Sequence, residues 1–286
     1  NREKPMDVSE IFILRNGNIR YGDRYILKGL DWTVKNEEKW ALSGENGAGK
    51  STTIKLILDM IHKDSGSITI LGKDNGDNIE LTKEDIGVVM DEVGIPECLT
   101  IKQVGKIMKK TFHNWNNSEY TRLVEKLELL NQKQFREFSR GMKMKLGIAI
   151  ALSHGAKLLI LDEATSGLDP LIRDEVVEML SDFTRDENHS ILISSHIVSD
   201  LEKLCDYIAF IHKGKLLLCE EKDELLSEYG LIHCTAEDLQ KIPPEAIKHK
   251  KENPYGVEVM VQRSAMPSGI NISPISIEEL FVFIVK

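Results

Sequence analysis

The sequence contains few cysteines, and no two of them lie close together. Cys98, Cys205, Cys219 and Cys234 form no C-x-x-C pair, so neither a zinc site nor a redox motif of that kind is indicated. Disulfide frameworks are typical of short, cysteine-dense secreted chains, and this chain is neither short nor cysteine-dense. We therefore expect free thiols in a reducing cytoplasm.

Long apolar runs are also missing. Of the 286 residues, 41% are hydrophobic and 29% are charged, which is typical of a globular protein. No apolar run approaches the roughly 18 residues of a membrane span, and the first residues lack the basic-then-apolar pattern of a secretory signal. We expect any membrane role to depend on a partner protein.

An excess of positive charge is the third absence. Lysine and arginine together number 37 against 46 acidic residues, which leaves a net charge of -9. An acidic chain has little long-range attraction for nucleic acid, so no nucleic-acid partner is expected. The length suits one large domain, or one domain with a small appendage.

One glycine-rich segment fits the phosphate-binding pattern G-x-x-x-x-G-K-[ST] at every fixed position. This phosphate loop reads, in order, Gly44, Glu45, Asn46, Gly47, Ala48, Gly49, Lys50 and Ser51. Its glycines leave room for backbone N–H groups to point at phosphate oxygens. Lys50 is expected to reach the β- and γ-phosphates, Ser51 to bind Mg²⁺, and Thr52 to cap the turn that begins the next helix.

The alternative is a chance match in an ordinary turn. Residues 40–43 predict a short buried strand that enters the loop, and the apolar residues from Ile54 to Ile61 predict a helix that leaves it. This context favours nucleotide binding. Tyr21, which precedes the loop, is predicted to stack on the nucleotide base, although an aromatic residue near a strand more often belongs to a core.

Two carboxylates follow a continuous apolar strand predicted at residues 158–161. Ligands of open α/β sheets collect at the carboxyl ends of the strands. Asp162 can therefore hold Mg²⁺, and Glu163 can orient or deprotonate an attacking water. An ordinary acidic turn is the alternative. His196 follows the next buried strand, at residues 191–194, and is expected beside the same phosphate site.

The pattern becomes helical between about Thr100 and Leu152, which predicts an inserted helical subdomain at about residues 92–152. Within it, Ser139 and Gly141 precede a helix. A serine there can be a simple helix cap, and the same geometry can hold an anion. Residues 230–286 predict a small α+β appendage, with a strand through Val257 to Val261 and a helix at residues 277–285.

Taken together, these motifs resemble the ATP-binding subunits of ATP-binding cassette (ABC) transporters, over roughly residues 8–229. The resemblance implies an α/β P-loop NTPase core (residues 1–229) with an N-terminal antiparallel β region, the helical subdomain and the small C-terminal α+β extension. It makes residues 44–51 the Walker A loop, Asp162 the Walker B aspartate, Glu163 the catalytic carboxylate and His196 the switch histidine. By the same likeness Tyr21 is the base-stacking residue, residues 166–169 are the D-loop, and residues 139–141 are the signature segment.

The chain departs from the family pattern at two places. The family usually carries LSGGQ where this chain has residues 138–142, so that Arg140 replaces a glycine and Met142 replaces the glutamine. Asp91 stands where the family has the Q-loop glutamine. A carboxylate there brings a charge toward the expected Mg²⁺, and we predict that Asp91 contributes to the metal site together with Ser51 and Asp162. The alternative is a side chain that is too short to touch the metal and points at the partner instead.

The resemblance also implies partners. ATP bound by Lys50 of one subunit is expected to be covered by Ser139 and Gly141 of another, in a head-to-tail homodimer or heterodimer that hydrolyses ATP with Mg²⁺. The dimer is expected to drive a membrane permease at the cytoplasmic face of the cell membrane, and the ending of the chain is similar to ATPases of peptide-antibiotic export or resistance. The alternative is a soluble ABC-type ATPase that acts as a mechanical or regulatory factor without a permease.

Overall fold

The structure, a computed structural model, describes residues 10–76, 83–129, 133–186 and 188–285. Its strands are β1 (Glu10–Tyr21), β2 (Arg24–Lys35), β3 (Lys39–Ser43), β4 (Ser65–Ile70), β5 (Lys73–Asp74), β6 (Ile86–Val89), β7 (Leu158–Asp162), β8 (Ser190–Ser194), β9 (Tyr207–His212), β10 (Lys215–Glu221), β11 (Tyr229–Cys234), β12 (Ile247–Asn253) and β13 (Gly256–Gln262). Its α-helices are α1 (Lys50–Ile57), α2 (Ile101–Thr111), α3 (Asn117–Lys126), α4 (Arg140–Leu152), α5 (Pro170–Phe183), α6 (Val198–Leu204), α7 (Lys222–Glu228), α8 (Ala236–Leu239) and α9 (Ile277–Val285).

A six-stranded sheet in the order β10-β9-β3-β8-β7-β6 carries the site. All its neighbours pair in parallel except β9 and β10. Every residue of β7 and β8 is buried, as expected for strands covered on both faces. Because parallel strands end at the same edge, β3, β7 and β8 deliver the phosphate loop, Asp162 and Ser194 to one place.

A second, antiparallel sheet in the order β2-β1-β4-β5 covers one side of this core. The two sheets and α1 share a buried apolar cluster that includes Leu27, Trp32, Ile54 and Ile160. The N-terminal antiparallel region was thus predicted correctly. The start of its first predicted strand, at Val8, lies outside the described residues.

Several predicted boundaries were wrong by a few residues. The sequence of residues 64–66 predicts a turn, but Ser65 and Gly66 already belong to β4. The polar residues 72–76 predict a loop, but they contain the short strand β5, which pairs with the end of β4. Helix α1 ends at Ile57 and does not extend to Ile61. Thr52 does not cap it, because the N-cap residue is Gly49, which makes no side-chain capping bond.

The helical subdomain comprises α2, α3 and α4, and its helices begin at polar caps. Thr100 and Gln103 form a capping box at α2, Asn116 caps α3, and Ser139 caps α4 by accepting the Met142 N–H. These caps satisfy N–H groups that have no partner inside the helix. The three helices contribute to the second large apolar cluster, which lies on the other face of the central sheet.

The C-terminal segment is a three-stranded antiparallel sheet, β11-β13-β12, followed by α9. Helix α9 spans the predicted residues, and the sheet begins at Tyr229, next to the expected boundary. Ile277, Leu280 and Phe281 of α9 join the large apolar cluster of the ATPase core. The Phe281 ring stacks on Phe210 of β9 with 4.1 Å between ring centroids. The segment is therefore packed onto the core.

All four cysteines are free. Burial raises the pKa of the Cys219 thiol to about 12 and also raises the pKa of the Cys205 thiol. None of the helices in the described ranges combines the length and apolarity that a membrane crossing requires.

Phe281→Ala is expected to lower the free energy of unfolding by about 3–5 kcal/mol, because it leaves a cavity beside Phe210. Its neighbour Val282 is 42% exposed, so Val282→Ala serves as the matched control and should change stability by about 0.5 kcal/mol or less. Urea unfolding curves measure both variants. Equal, small losses would mean that α9 does not pack on the core in solution.

Candidate active site

The phosphate loop links β3 to α1 through glycines with positive φ. Gly47 has φ +79° and open space where a side chain would extend, whereas a Cβ at Gly49, with φ +115°, would lie 2.7 Å from a Leu27 methyl. The first position leaves room for a ligand against the backbone, and the second lets the loop pack on β2. The start of α1 adds the positive end of its helix dipole to this anion site.

Lys50 is the cation of the loop. It is only 5% exposed, and its Nζ donates to the carbonyl oxygens of Gly44 at 2.8 Å and Glu45 at 3.2 Å. The same Nζ lies 3.4 Å from Oε1 of Glu163. A buried ammonium requires such partners, since an unpaired charge away from water is costly. In this structure the two carbonyl oxygens and the Glu163 carboxylate surround the Lys50 ammonium, and phosphate oxygens can replace them.

Asp162 is a buried carboxylate, 2% exposed, at the end of β7. Its Oδ1 accepts hydrogen bonds from the Ser51 hydroxyl at 3.1 Å and from the Ser194 hydroxyl at 2.5 Å. Ser51 is the second residue of α1, and Ser194 ends β8. The carboxylate therefore joins three elements that are distant in the sequence.

Glu163 has a left-handed backbone, with φ +52°. Its N–H donates to Oγ of Ser194 at 3.1 Å, and its Oε2 lies 2.8 Å from Nδ1 of His196. A non-glycine residue with positive φ is uncommon and marks strain that the surrounding structure maintains. Here that backbone turns the carboxylate between Lys50 and His196.

A cavity of about 340 Å³ collects most of the predicted site residues. Its lining comprises Asn46, Gly47, Gly49, Lys50, Ser51, Thr52, Asp91, Glu163, Ser166 and His196. The other predicted residues do not line it, namely Tyr21, Gly44, Glu45, Ala48, Ser139, Gly141 and Asp162. Tyr21 lies at the end of β1 with 84% of its surface exposed, so its base-stacking role stays a prediction.

The signature segment lies at the exposed start of α4. Ser139 is exposed and caps the helix, so the cap that the local pattern indicated is present. Gly141 is buried, and a Cβ there would lie 2.8 Å from Ile172 of α5. The glycine thus allows α4 to pack closely on α5, which follows the D-loop.

Asp91 and Arg140 form an ion pair between Oδ1 and Nη2. Each side chain is 49% exposed. The sequence singled out both residues separately, as departures from the family pattern, and did not indicate that they meet. The pair joins the end of β6 in the core to the first residue of α4.

Sequence reasoning missed two supporting contacts. Ser194 was read only as the end of a strand, and its link to Asp162 depends on the pairing of β7 with β8. Arg173 binds the buried carboxylate of Asp200, with 2.7 Å from Nη2 to Oδ1. That hydrogen bonding raises the pKa of Arg173, and the pair ties α5 to the helix that follows His196.

The donor set fits a nucleotide phosphate chain with Mg²⁺. Hydroxyl and carboxylate oxygens, which hard cations prefer, are supplied side by side by Ser51 and Asp162. Lys50 supplies positive charge, and the open side of Gly47 leaves room for phosphate oxygens against the backbone.

Comparisons with known proteins agree with this geometry. The family profile described as ABC transporter matches residues 27–166. A lantibiotic transport ATP-binding protein of Streptococcus pyogenes is 38% identical over 215 residues, which cover 73% of this chain and 90% of the relative. A linearmycin resistance ATP-binding protein of Bacillus subtilis is 33% identical over 225 residues, 76% of this chain and 72% of the relative.

Solved structures show the same fold. An ATP-binding subunit of an ABC transporter superposes with a TM-score of 0.68 at 27% identity, covering 76% of this chain and 92% of that chain. A dimeric ATP-binding cassette in a post-hydrolysis state, bound to ADP and Pi, gives a TM-score of 0.66 at 20% identity over 73% of this chain and 98% of that chain. This chain belongs to the ABC transporter family, as one of its ATP-binding, ATP-hydrolysing subunits.

Proposed function

We propose that this subunit works in a head-to-tail dimer that encloses ATP and Mg²⁺ and drives a separate membrane permease. One observation carries the proposal. The cavity assembles Lys50, Ser51, Glu163 and His196, whereas Ser139 stands at the exposed start of α4, outside the cavity lining. A serine hydroxyl at a helix N-terminus is well suited to bind an anion. Because Ser139 lies outside the cavity of its own subunit, the phosphate that it binds would be held by a second subunit.

The contacts of the site support a proposed role for each residue. Lys50 exchanges its carbonyl and carboxylate partners for phosphate oxygens and neutralises their charge. Ser51 and Asp162 would hold Mg²⁺, which would screen the charge of the phosphates. Glu163 orients the attacking water and accepts its proton, and His196 keeps the Glu163 carboxylate turned toward the cavity.

The permease has a candidate docking surface on the side of β6. A groove of about 890 Å³ runs between the ends of α1, α2 and α4, and its lining includes Met60, Val88 and Phe112. Met60 and Val88 are 56% and 38% exposed. We assign this apolar groove to a cytoplasmic segment of the permease, and on this proposal the subunit works at the cytoplasmic face of the cell membrane.

The names of the relatives support a proposal for the transported substrate. Those compared above are named for lantibiotic transport and linearmycin resistance. We propose export of an antimicrobial peptide or drug. Resistance of cells with and without the gene and its permease tests this assignment.

Glu163→Gln should bind ATP and turn it over at least about 100-fold more slowly, because the amide keeps the shape but cannot accept the proton of water. Steady-state phosphate release and nucleotide binding measure the two effects separately. Glu178→Gln, the same change on the exposed face of α5, is the matched control. Equal turnover in wild type and Glu163→Gln would remove Glu163 from the mechanism.

ATP should drive dimerisation of the Glu163→Gln protein, since slow hydrolysis preserves the phosphate that Ser139 is proposed to cover. Light scattering should show the mass rising from 32.4 kDa toward twice that value with ATP and not with ADP. A monomer at every ATP concentration would contradict the homodimer. Pairing with a different ATP-binding cassette would then be the remaining arrangement.

Asp91→Asn should raise the Mg²⁺ concentration for half-maximal hydrolysis about threefold or more, because hard cations prefer a carboxylate oxygen to an amide oxygen. Asp91 lines the cavity with Ser51, which supports its assignment to the metal site. A Mg²⁺ titration of both proteins without permease measures the effect. Superimposable curves would exclude Asp91 from the metal site.

A further inference from the structure

The ion pair between Asp91 and Arg140 joins two parts of the molecule that have different tasks. Asp91 lines the nucleotide cavity, and Arg140 is the first residue of α4, directly after Ser139. The two residues are 49 positions apart in the chain. A single contact therefore links the proposed metal site to the surface proposed to meet the partner subunit.

The guanidinium of Arg140 lies at the rim of the cavity. A Cβ built at Gly167 of the D-loop would be 3.5 Å from both Nε and Cζ of Arg140, and Ser166, the residue before Gly167, lines the cavity. The cation is thus held against the D-loop by Asp91. It remains half exposed, and no second carboxylate pairs with it among the described residues.

We propose that Arg140 exchanges this carboxylate for the γ-phosphate of ATP held by the partner subunit. In the single subunit the guanidinium binds Asp91. In the ATP-bound dimer it contacts the nucleotide in trans, together with the start of α4. The inference rests on the proposed head-to-tail dimer, because only that arrangement brings the signature segment to a second phosphate loop.

The balance of interactions favours this exchange when ATP is present. An ion pair between half-exposed side chains is weak, because water screens it. A γ-phosphate offers more negative charge and three acceptor oxygens, and the planar guanidinium can bind two of them at once. Recruitment of Asp91 to Mg²⁺ would weaken the ion pair further. ADP lacks the γ-phosphate, so Arg140 returns to Asp91 after hydrolysis.

A static tether between the core and the helical subdomain is the competing explanation. A tether is lost equally when either partner is removed, so substitutions at Asp91 and Arg140 should shift dimerisation in the same direction. Exchange predicts opposite shifts. Loss of Asp91 frees the arginine for the partner's phosphate, whereas loss of Arg140 removes the contact itself.

The test measures the ATP concentration for half-maximal dimerisation of the Glu163→Gln protein by light scattering, at saturating Mg²⁺. Adding Arg140→Gln should raise that concentration about tenfold or more, the loss expected for a charge-assisted contact. Adding Asp91→Ala should lower it about threefold. The Glu163→Gln protein that carries both of these changes should need the same ATP concentration for half-maximal dimerisation as the one with Arg140→Gln alone.

Matched variants separate the effect of losing the charge from the effect of losing the planar guanidinium and from misfolding. Arg136→Gln removes the same charge from an exposed residue four positions before Arg140 and should leave dimerisation unchanged. Arg140→Lys keeps the charge but cannot bind two oxygens in a plane, and should fall between the parent and Arg140→Gln. Binding of ATP to the separated subunits should be the same with Arg140→Gln as without it, which excludes misfolding.

The outcomes distinguish this inference from the function on which it rests. A Glu163→Gln parent that never dimerises overturns the homodimer and the exchange together. If the parent dimerises and Arg140→Gln does not raise the ATP requirement, the exchange alone is overturned. Equal shifts in the same direction for Arg140→Gln and Asp91→Ala also overturn it and identify the pair as a tether.

Discussion

The arrangement of the site depends on one buried carboxylate. Asp162 is almost inaccessible to water and is satisfied by the hydroxyls of Ser51 and Ser194. A buried charge without such partners would be strongly unfavourable, so the two hydroxyls and the carboxylate hold one another in place. Through this contact, the first helix and two central strands meet at one edge of the sheet, which brings together the phosphate loop, the side-chain oxygens of Ser51 and Asp162, and Glu163.

Around this fixed centre, the charged groups of the site are paired with one another. Lys50 contacts two carbonyl oxygens and Glu163, and Glu163 also contacts His196. We propose that bound phosphate replaces one set of oxygens around Lys50 with another and so avoids exposing an unpaired ammonium. On this proposal the replacement releases Glu163 for water, which would couple the occupation of the phosphate loop to the chemistry of the carboxylate.

The departures from the family pattern form a second, weaker charge system at the rim. Asp91 and Arg140 are half exposed, so their contact can be broken at small cost, unlike the contacts of Asp162. The C-terminal segment, in contrast, is fixed to the core by buried apolar contacts. Its last helix buries Leu280 and Phe281 in the apolar cluster of the ATPase core. Phe281 stacks on Phe210 of β9, and the residue after Phe210, Ile211, packs against the phosphate loop.

The sequence by itself determined the class of fold, the phosphate loop, the order of strands and helices around it and the identity of the carboxylates at the strand ends, because each of these depends on residues that are neighbours in the chain. It placed the final helix at residues 277–285 and failed on short features such as β5, which exists only through pairing with β4. Only the tertiary structure decided that Ser194 holds Asp162, that His196 and Lys50 share Glu163, and that Asp91 meets Arg140. These contacts join residues that are at least 32 positions apart in the chain, and no local pattern encodes them, since strand order and helix packing bring such residues together.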